Sequence, residues 1–383
     1  MSLDLGLLGS KLFRYRSQFQ SSLDDVSAAT GIPSEALASY ENGSREPTGD
    51  HILILADFYK CDYRFFLSNE KLAPFEQTET LFRMHGDVLS PADRWAIQEF
   101  LFLCECEETL LRMLPSTVPR TPFAFTKHGT FYKGHGKDAA AALRRHLGYA
   151  ANEVGRDVFR DIRRIGLHVF RRHLSNSAIS GLFVRHPFAG PCVLVNYSED
   201  VYRQRFTAAH EAGHAILDDD RDVNLSFTEW SSKDLSEVRA NTFASHFLMP
   251  PEFLKGIPEP GTWSIAKALD WANRLKVSTV ALSFALRDAA LITSDVAALI
   301  RQMSVPEEAK RDAELPENLS PATAARKSGM LRRGLSSFYV GLCFEAYRQG
   351  EVTAGRVAEM LLILPQEIHE VANDYGEVLS HGN

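Results

Sequence analysis

Arg203-Gln204-Arg205-Phe206-Thr207-Ala208-Ala209-His210-Glu211-Ala212-Gly213-His214 decides the reading of this 383-residue chain. On a helix, His210 and His214 stand a little over one turn apart, so both imidazoles leave the same face and can share one cation. Phe206, His210, His214 and Leu217 make one stripe, which sets the pair at the edge of an apolar face. Glu211 points about 100° around the helix from His210, where it can reach an activated water without ligating the metal. Zinc brings such a water to a pKa of roughly 7 and polarises a scissile carbonyl. Glu211 is then left to carry the proton to the leaving amine. With 13 histidines in the chain, H-E-x-x-H arises by chance often enough that a third ligand must be found.

Glu237 follows His214 by 23 residues, on the helical segment Ser236-Glu237-Val238-Arg239-Ala240-Asn241. Asn241 is four residues further, shares the Glu237 face and can hydrogen-bond an imidazole N–H. The rival is the acidic run Asp218-Asp219-Asp220. Asp220 has the spacing of the third metzincin ligand, but that pattern needs a glycine where this chain has Leu217. Glu237 is the preferred ligand. His246 lies about half a turn out of phase with Glu237 and is expected to face away from the metal. His168, His173 and His186 lie near the strands and are read as surface histidines, with lining of the cleft as the alternative. Tyr197, Tyr202 and Arg203 are the candidates for stabilising a tetrahedral oxyanion.

The block from Asn196 to His214, with Glu237-x-x-Ala240-Asn241-x-Phe243-Ala244-x-x-Phe247-Leu248-Met249-Pro250, resembles the ImmA/IrrE family of metallopeptidases over roughly residues 150–290. The resemblance implies a small gluzincin-like fold, Zn2+ held by His210, His214 and Glu237, and Glu211 as catalytic acid/base. It further implies site-specific cleavage of a helix-turn-helix repressor. Mn2+ or Fe2+ can also occupy a His/His/Glu site. Arg239 departs from the family, many members having an acid there; it lies off the ligand face and leaves the site intact.

Residues 22–43 run from Ser22-Leu23-Asp24-Asp25-Val26 through Gly31-Ile32-Pro33-Ser34 to Tyr40-Glu41-Asn42-Gly43. Val26, Ile32, Leu37 and Tyr40 fall where two short helices pack, and Gly31 gives the turn its backbone freedom. The segment 5–68 resembles the XRE (Cro/repressor-type) family. That resemblance puts the second helix in the major groove through Ser34, Glu35, Ala38 and Ser39. Lys11, Arg14, Arg16 and Arg45 are the candidates for phosphate contacts. Residues 1–70 nevertheless hold 6 Lys+Arg against 10 Asp+Glu. Phosphate contacts normally dominate affinity, so DNA binding by a homodimer stands beside a protein-docking role.

The rest of the chain frames these two segments. Hydrophobic content of 45% with 24% charged residues is that of an ordinary globular protein. A net charge of −7 argues against a general polyanion binder. No apolar run approaches the roughly 20 residues of a membrane span, and the N-terminus lacks a signal-peptide pattern. The five cysteines are scattered, without a disulfide framework, which fits a reducing cytoplasm.

The expected fold is α+β and mostly helical. An all-α helix-turn-helix domain (1–70) is followed by a helical connector and linker (71–136). A gluzincin-like metallopeptidase domain with a small β-sheet (137–295) and a C-terminal helical domain (296–383) complete it. The connector helix starts at Ser90-Pro91-Ala92-Asp93, and 115–136 reads as linker. Strands are expected at 167–170, 181–184 and 192–195, the last two as a hairpin. Helices are expected at 138–147, 154–165, 202–217, 234–247 and 263–274. The polar, Pro-rich stretch 303–330 reads as loop. Residues 335–376 return to helix, with Gly350 and Gly376 as stops; this tail resembles those of long XRE–ImmA/IrrE fusions and is read as a helical cap or dimerisation element.

The functional expectation is a regulated zinc endopeptidase cleaving a repressor or antitoxin-like protein in a stress or mobile-element response. The alternative is a DNA-binding regulator whose metallopeptidase-like domain senses a ligand without cleaving peptides. Glu211 favours the enzyme, because a structural zinc site has no use for a general base.

Overall fold

A computed structural model describes residues 3–68, 88–114, 119–218, 223–227, 234–377 and 379. The chain divides into two compact units, residues 1–103 and 104–383.

The first unit contains α1 (Leu5–Gln18), α2 (Leu23–Thr30), α3 (Ser34–Glu41), α4 (Gly49–Phe58), α5 (Tyr63–Leu67) and the beginning of α6 (Pro91–Met113). Ser22 and Asp25 form a reciprocal capping box that starts α2. Gly31 ends α2 in the left-handed conformation at φ 73°, which turns the chain into α3. Val26, Ile32, Leu37 and Tyr40 are all buried, as their spacing predicts. α1 lies so close to the end of α3 that a Cβ on Gly9 would stand 2.6 Å from the Tyr40 carbonyl oxygen. The start of α6 is capped by Ser90 and Asp93, each accepting from the other's backbone N–H.

In the second unit, α6 is followed by α7 (Tyr132–His146), α8 (Val158–Arg164), β1 (His168–Arg172), β2 (Ile179–His186), β3 (Gly190–Asn196), α9 (Val201–Leu217) and β4 (Val223–Phe227). Then come α10 (Leu235–Leu248), α11 (Pro251–Lys255), α12 (Ile265–Leu275), α13 (Thr279–Asp288) and α14 (Ser294–Arg301). The C-terminal helices are α15 (Pro321–Arg332), α16 (Ser337–Arg348), α17 (Ala354–Met360) and α18 (Ile368–Tyr375). The sheet order is β1-β3-β2-β4, with β1 parallel to β3 and the other pairs antiparallel. One face of the sheet, through Val169, Phe183, Val193 and Val195, packs into the core of α7 to α10. The other face is also covered: Phe170 meets Tyr339 of α16 edge-on at 5.3 Å.

The fold is thus mostly helical around one small sheet, and the β2–β3 hairpin is present. Two expectations are corrected, and one strand is additional. The supposed linker ends at α7, whose Gly134 and Gly136 lie inside the helix. Gly136 is there because α7 and α10 are in close contact: a Cβ would stand 2.6 Å from the Arg239 carbonyl oxygen. The stretch 303–330 contains most of α15, begun by the Ser320 cap and Pro321 at its first position. β4 had no sequence signal, being five residues long and half-buried. Gly350 and Gly376 do end helical segments, at φ 76° and 71°.

Candidate metal centre and cleft

α9 begins at Asp200, whose side chain accepts from the N–H groups of Tyr202 and Arg203, and runs buried for most of its length. α10 crosses it closely, Gly213 leaving room for Phe243. This crossing carries Glu237, on the first turn of α10, to the imidazoles of α9. The Nε2 atoms of His210 and His214 lie 3.0 Å apart. Glu237 places Oε2 3.3 Å from His210 Nε2 and Oε1 3.1 Å from His214 Nε2. A tetrahedral ion bound at about 2.0–2.1 Å separates its ligands by roughly 3.3 Å, so the donor set fits one divalent cation. Without a cation, burial opposes protonation of His214, but Asp218 and Glu237 outweigh it and raise its pKa to about 10. Burial likewise opposes ionisation of Glu237, and hydrogen bonds from the two histidines hold it well below the usual carboxylate range. The cluster is therefore a carboxylate and two imidazoles converging on a point that needs positive charge.

The outer nitrogens are held as well. His210 Nδ1 lies 3.1 Å from Asn241 Oδ1, and His214 Nδ1 lies 2.6 Å from Asp218 Oδ2. Donation from Nδ1 leaves each Nε2 lone pair facing inward. Asp218, a rival ligand in the sequence reading, thus stands behind His214, and its second oxygen accepts from Arg239. Asp219 and Asp220 lie outside the described residues. Arg239 is off the ligand face, as its position predicts, but it braces the brace of His214, a role its sequence position does not reveal.

Glu211 is fully buried; no well-formed hydrogen bond reaches either carboxylate oxygen among the described residues, and the Ser226 side chain is the polar group beside it. Burial raises its pKa, against the lowering influence of His210, His214 and the Ser226 side chain. β2 passes directly over it: a Cβ on Gly181 would stand 2.7 Å from Glu211 Oε1 and 2.7 Å from Thr207 Cγ2. Gly181 therefore makes the space the carboxylate occupies. A glycine inside a strand was the available signal for such an approach.

The site opens into a cleft of about 470 Å3 with apolar walls from Phe206, Val280 and Phe284 and cations from Lys133, Arg203 and Arg287. Of the three oxyanion candidates, Arg203 lines this cleft, with its Nε 2.7 Å from Glu199. Tyr202 is buried, and its hydroxyl goes to Asn273, so it is not available to substrate. Tyr197 lies beneath the Arg171 guanidinium, away from the cleft lining. His246 is not in the lining either.

Two of the other histidine expectations need correction. His168 and His186 are neither surface residues nor cleft residues; they are 1% and 4% exposed. His168 Nδ1 lies 2.9 Å from Glu107 and its Nε2 3.3 Å from Glu108. His186 Nε2 lies 3.2 Å from Glu105. Both bind the sheet to α6. His173 pairs with the Ser198 hydroxyl.

On the N-terminal unit, Glu35 is exposed and Ser34, Ala38 and Ser39 are half-buried along one side of α3. Ser34 donates to Asp24 at 2.7 Å. Lys11 is not at a DNA-facing surface. It is 3% exposed, and its Nζ donates to the carbonyls of Phe65 and Ser68 at 2.5 and 2.7 Å. Arg16 is spent on a bidentate pair with Glu41, both contacts at 2.7 Å. Arg14 is half-buried, and Arg45 is exposed with its guanidinium over the Tyr40 ring at 5.9 Å.

Two histidines and a glutamate on crossed helices, beside a fully buried glutamate, constitute a divalent-metal site of the zinc-peptidase kind. Residues 162–287 match the IrrE N-terminal-like domain family (Peptidase_M78), and residues 14–66 match the helix-turn-helix family HTH_3. The chain is an XRE-type helix-turn-helix domain fused to an IrrE-like domain that carries a His/His/Glu catalytic centre. No curated protein matches it. Among the described residues, no helix is long and apolar enough to cross a membrane.

Proposed function

We propose that this chain is a zinc-dependent, site-specific endopeptidase of the cytoplasm. Its substrate would be a regulatory protein, a helix-turn-helix repressor or an antitoxin-like partner, in a stress or mobile-element response. The observation that carries this reading is Glu211: a fully buried carboxylate, with no charged partner among the described residues other than the metal-site groups themselves, held next to three convergent ligand atoms. A metal bound by His210, His214 and Glu237, zinc in preference to manganese or iron, supplies Lewis acidity toward water and the scissile carbonyl. Asn241 and Asp218 hold the two imidazoles in the ligating tautomer. Glu211, its proton affinity raised by burial, accepts the proton of the attacking water. As the water oxygen bonds to the carbonyl carbon and the C–N bond breaks, that proton passes to the departing nitrogen. Arg203, at the cleft wall, is the candidate for stabilising the oxyanion.

Residues 1–70 act in this reading as the targeting module, working as a homodimer. Ser34, Glu35, Ala38 and Ser39 meet base edges, and Arg14 and Arg45 meet phosphates. The connector 71–136 and the C-terminal domain 296–383 flank the peptidase domain 137–295. The test compares newly formed protein N-termini in cells expressing wild type or Glu211→Gln, with and without DNA-damaging stress. Termini seen only with wild type identify an endopeptidase and its substrate. Identical sets of termini from the two strains, with zinc-loaded protein bound to a promoter, would replace the enzyme by a ligand-sensing regulator.

A further inference from the structure

The second unit holds a cavity separate from the metal cleft. It measures about 370 Å3 and is bounded by α8, the start of α9 and the C-terminal stretches 311–314 and 331–338. Its wall carries six cations, Arg156, Arg163, Arg171, Arg205, Lys276 and Arg311, and three carboxylates, Asp157, Asp312 and Glu314. Each carboxylate is already engaged. Asp157 caps α8 by accepting from the Arg160 N–H, and Asp312 pairs with Arg171 at 2.6 Å. Glu314 accepts from the Ser337 backbone and hydroxyl.

Arg163 and Arg205 are left without a carboxylate among the described residues. Arg205 is 6% exposed and donates to the Arg156 carbonyl at 3.2 Å. Arg163 donates to the Val169 carbonyl at 2.9 Å. The Nε of each is buried without an acceptor. Burial depresses the proton affinity of both, yet guanidinium stays charged at any ordinary pH. Arg205 is buried and Arg163 half-buried. Asp157 attracts both, with Asp161 near Arg205 and Glu107 and Glu314 near Arg163. Burial outweighs that attraction and no ion pair closes on either guanidinium among the described residues, so an anion in the cavity would relieve them. Phe338 lies under Arg163 at 4.4 Å and Phe159 under Arg171 at 5.1 Å. The stacked rings fix the guanidinium planes and, with Val201 and Leu331, supply apolar wall.

We propose that this cavity binds a small molecule carrying an oxyanion, carboxylate or phosphate, on a compact apolar body, with Arg163 and Arg205 as its counter-ions. The volume lies in the range of small-molecule sites, about 300–1,000 Å3. Planar guanidinium edges suit either oxyanion.

The test is thermal unfolding of the full chain with phenyl phosphate, benzoate and neutral phenol as probes, read on wild type and on Glu211→Gln so that it is independent of peptidase activity. Phenyl phosphate or benzoate should raise the midpoint by a few degrees once in large excess over Kd, and phenol should not. Which of the two shifts it more identifies the oxyanion class. Arg163→Met and Arg205→Met should abolish the shift and, in anion-free buffer, unfold at a higher temperature than wild type. Lys276→Glu sits half-buried at the wall, outside the core, and should also abolish the shift if either methionine variant does not fold. No shift with either anion, an equal shift with phenol, or a full anion shift retained in Lys276→Glu would overturn the proposal.

Discussion

The second unit contains two buried histidine–carboxylate clusters that use the same residue types for opposite ends. In the metal centre, His210, His214 and Glu237 turn their donor atoms toward one point, and Asn241 and Asp218 hold the imidazoles from outside. In the other, a single imidazole, His168, spans two carboxylates with its two nitrogens. Burial alone would lower the pKa of His168, but Glu107 and Glu108 raise it to about 10. Glu108 is held near 2 despite its burial, by His168, Arg112 and Arg120. Convergent lone pairs make a site for a cation; lone pairs spread on either side of a ring make a clamp. The difference lies in geometry alone.

The largest effect that separates the two is on turnover. Glu211→Gln should lower kcat by at least about 10³-fold while metal content, measured by atomic emission, stays at the wild-type level. Loss of the metal along with activity would mean that Glu211 is a ligand and not a base.

The clamp should answer in stability. His168→Gln leaves two buried carboxylates facing each other, and should cost about 3–5 kcal/mol at neutral pH in urea unfolding. The sign of its pH dependence follows from a folded pKa raised above the ordinary 6.5 to about 10. The contribution of His168 is complete below 6.5 and is lost as pH rises toward 10. The gap between wild type and His168→Gln should therefore narrow over that interval. A constant gap would show that His168 contributes by packing.

Gly181→Ala tests the space over Glu211. A methyl group 2.7 Å from Oε1 must displace the carboxylate, so kcat should fall by roughly 10²-fold with metal affinity unchanged. Asn241→Ala and Asp218→Asn should each weaken metal binding by about 10–100-fold in chelator competition. Equal affinity in both variants would leave the outer nitrogens without a role. The smallest structural change is expected from removing the metal by chelation: turnover should be lost, but the helical circular dichroism should persist, with the unfolding midpoint lowered.

What could be read in the sequence was what helical spacing encodes. His210, His214, Glu237 and Asn241 lie on two segments whose periodicity states which residues share a face. The packing of Val26, Ile32, Leu37 and Tyr40 was legible for the same reason. The clamp was not, because His168 and Glu107 are 61 residues apart and meet only once the sheet lies on α6. Gly136 was read as a chain breaker since sequence cannot tell a glycine that bends from one that lets two helices touch. Lys11 looked like a phosphate ligand because pattern marks a cation without saying that two carbonyls lie within its reach. Asp218 was weighed only as part of the acidic run past His214, and the direction of the His214 ring places it behind the metal position.

The glycine contacts have one more consequence. Gly136 brings α7 onto α10 and Gly213 lets α9 meet Phe243, so the helices that present the metal donors are seated by backbone packing before any ion arrives. A receptor built in this way is a socket, unlike the small zinc modules that stay unfolded until loaded. The cell could hold a stock of it empty, and the pool of available ion would then set how much of that stock is switched on.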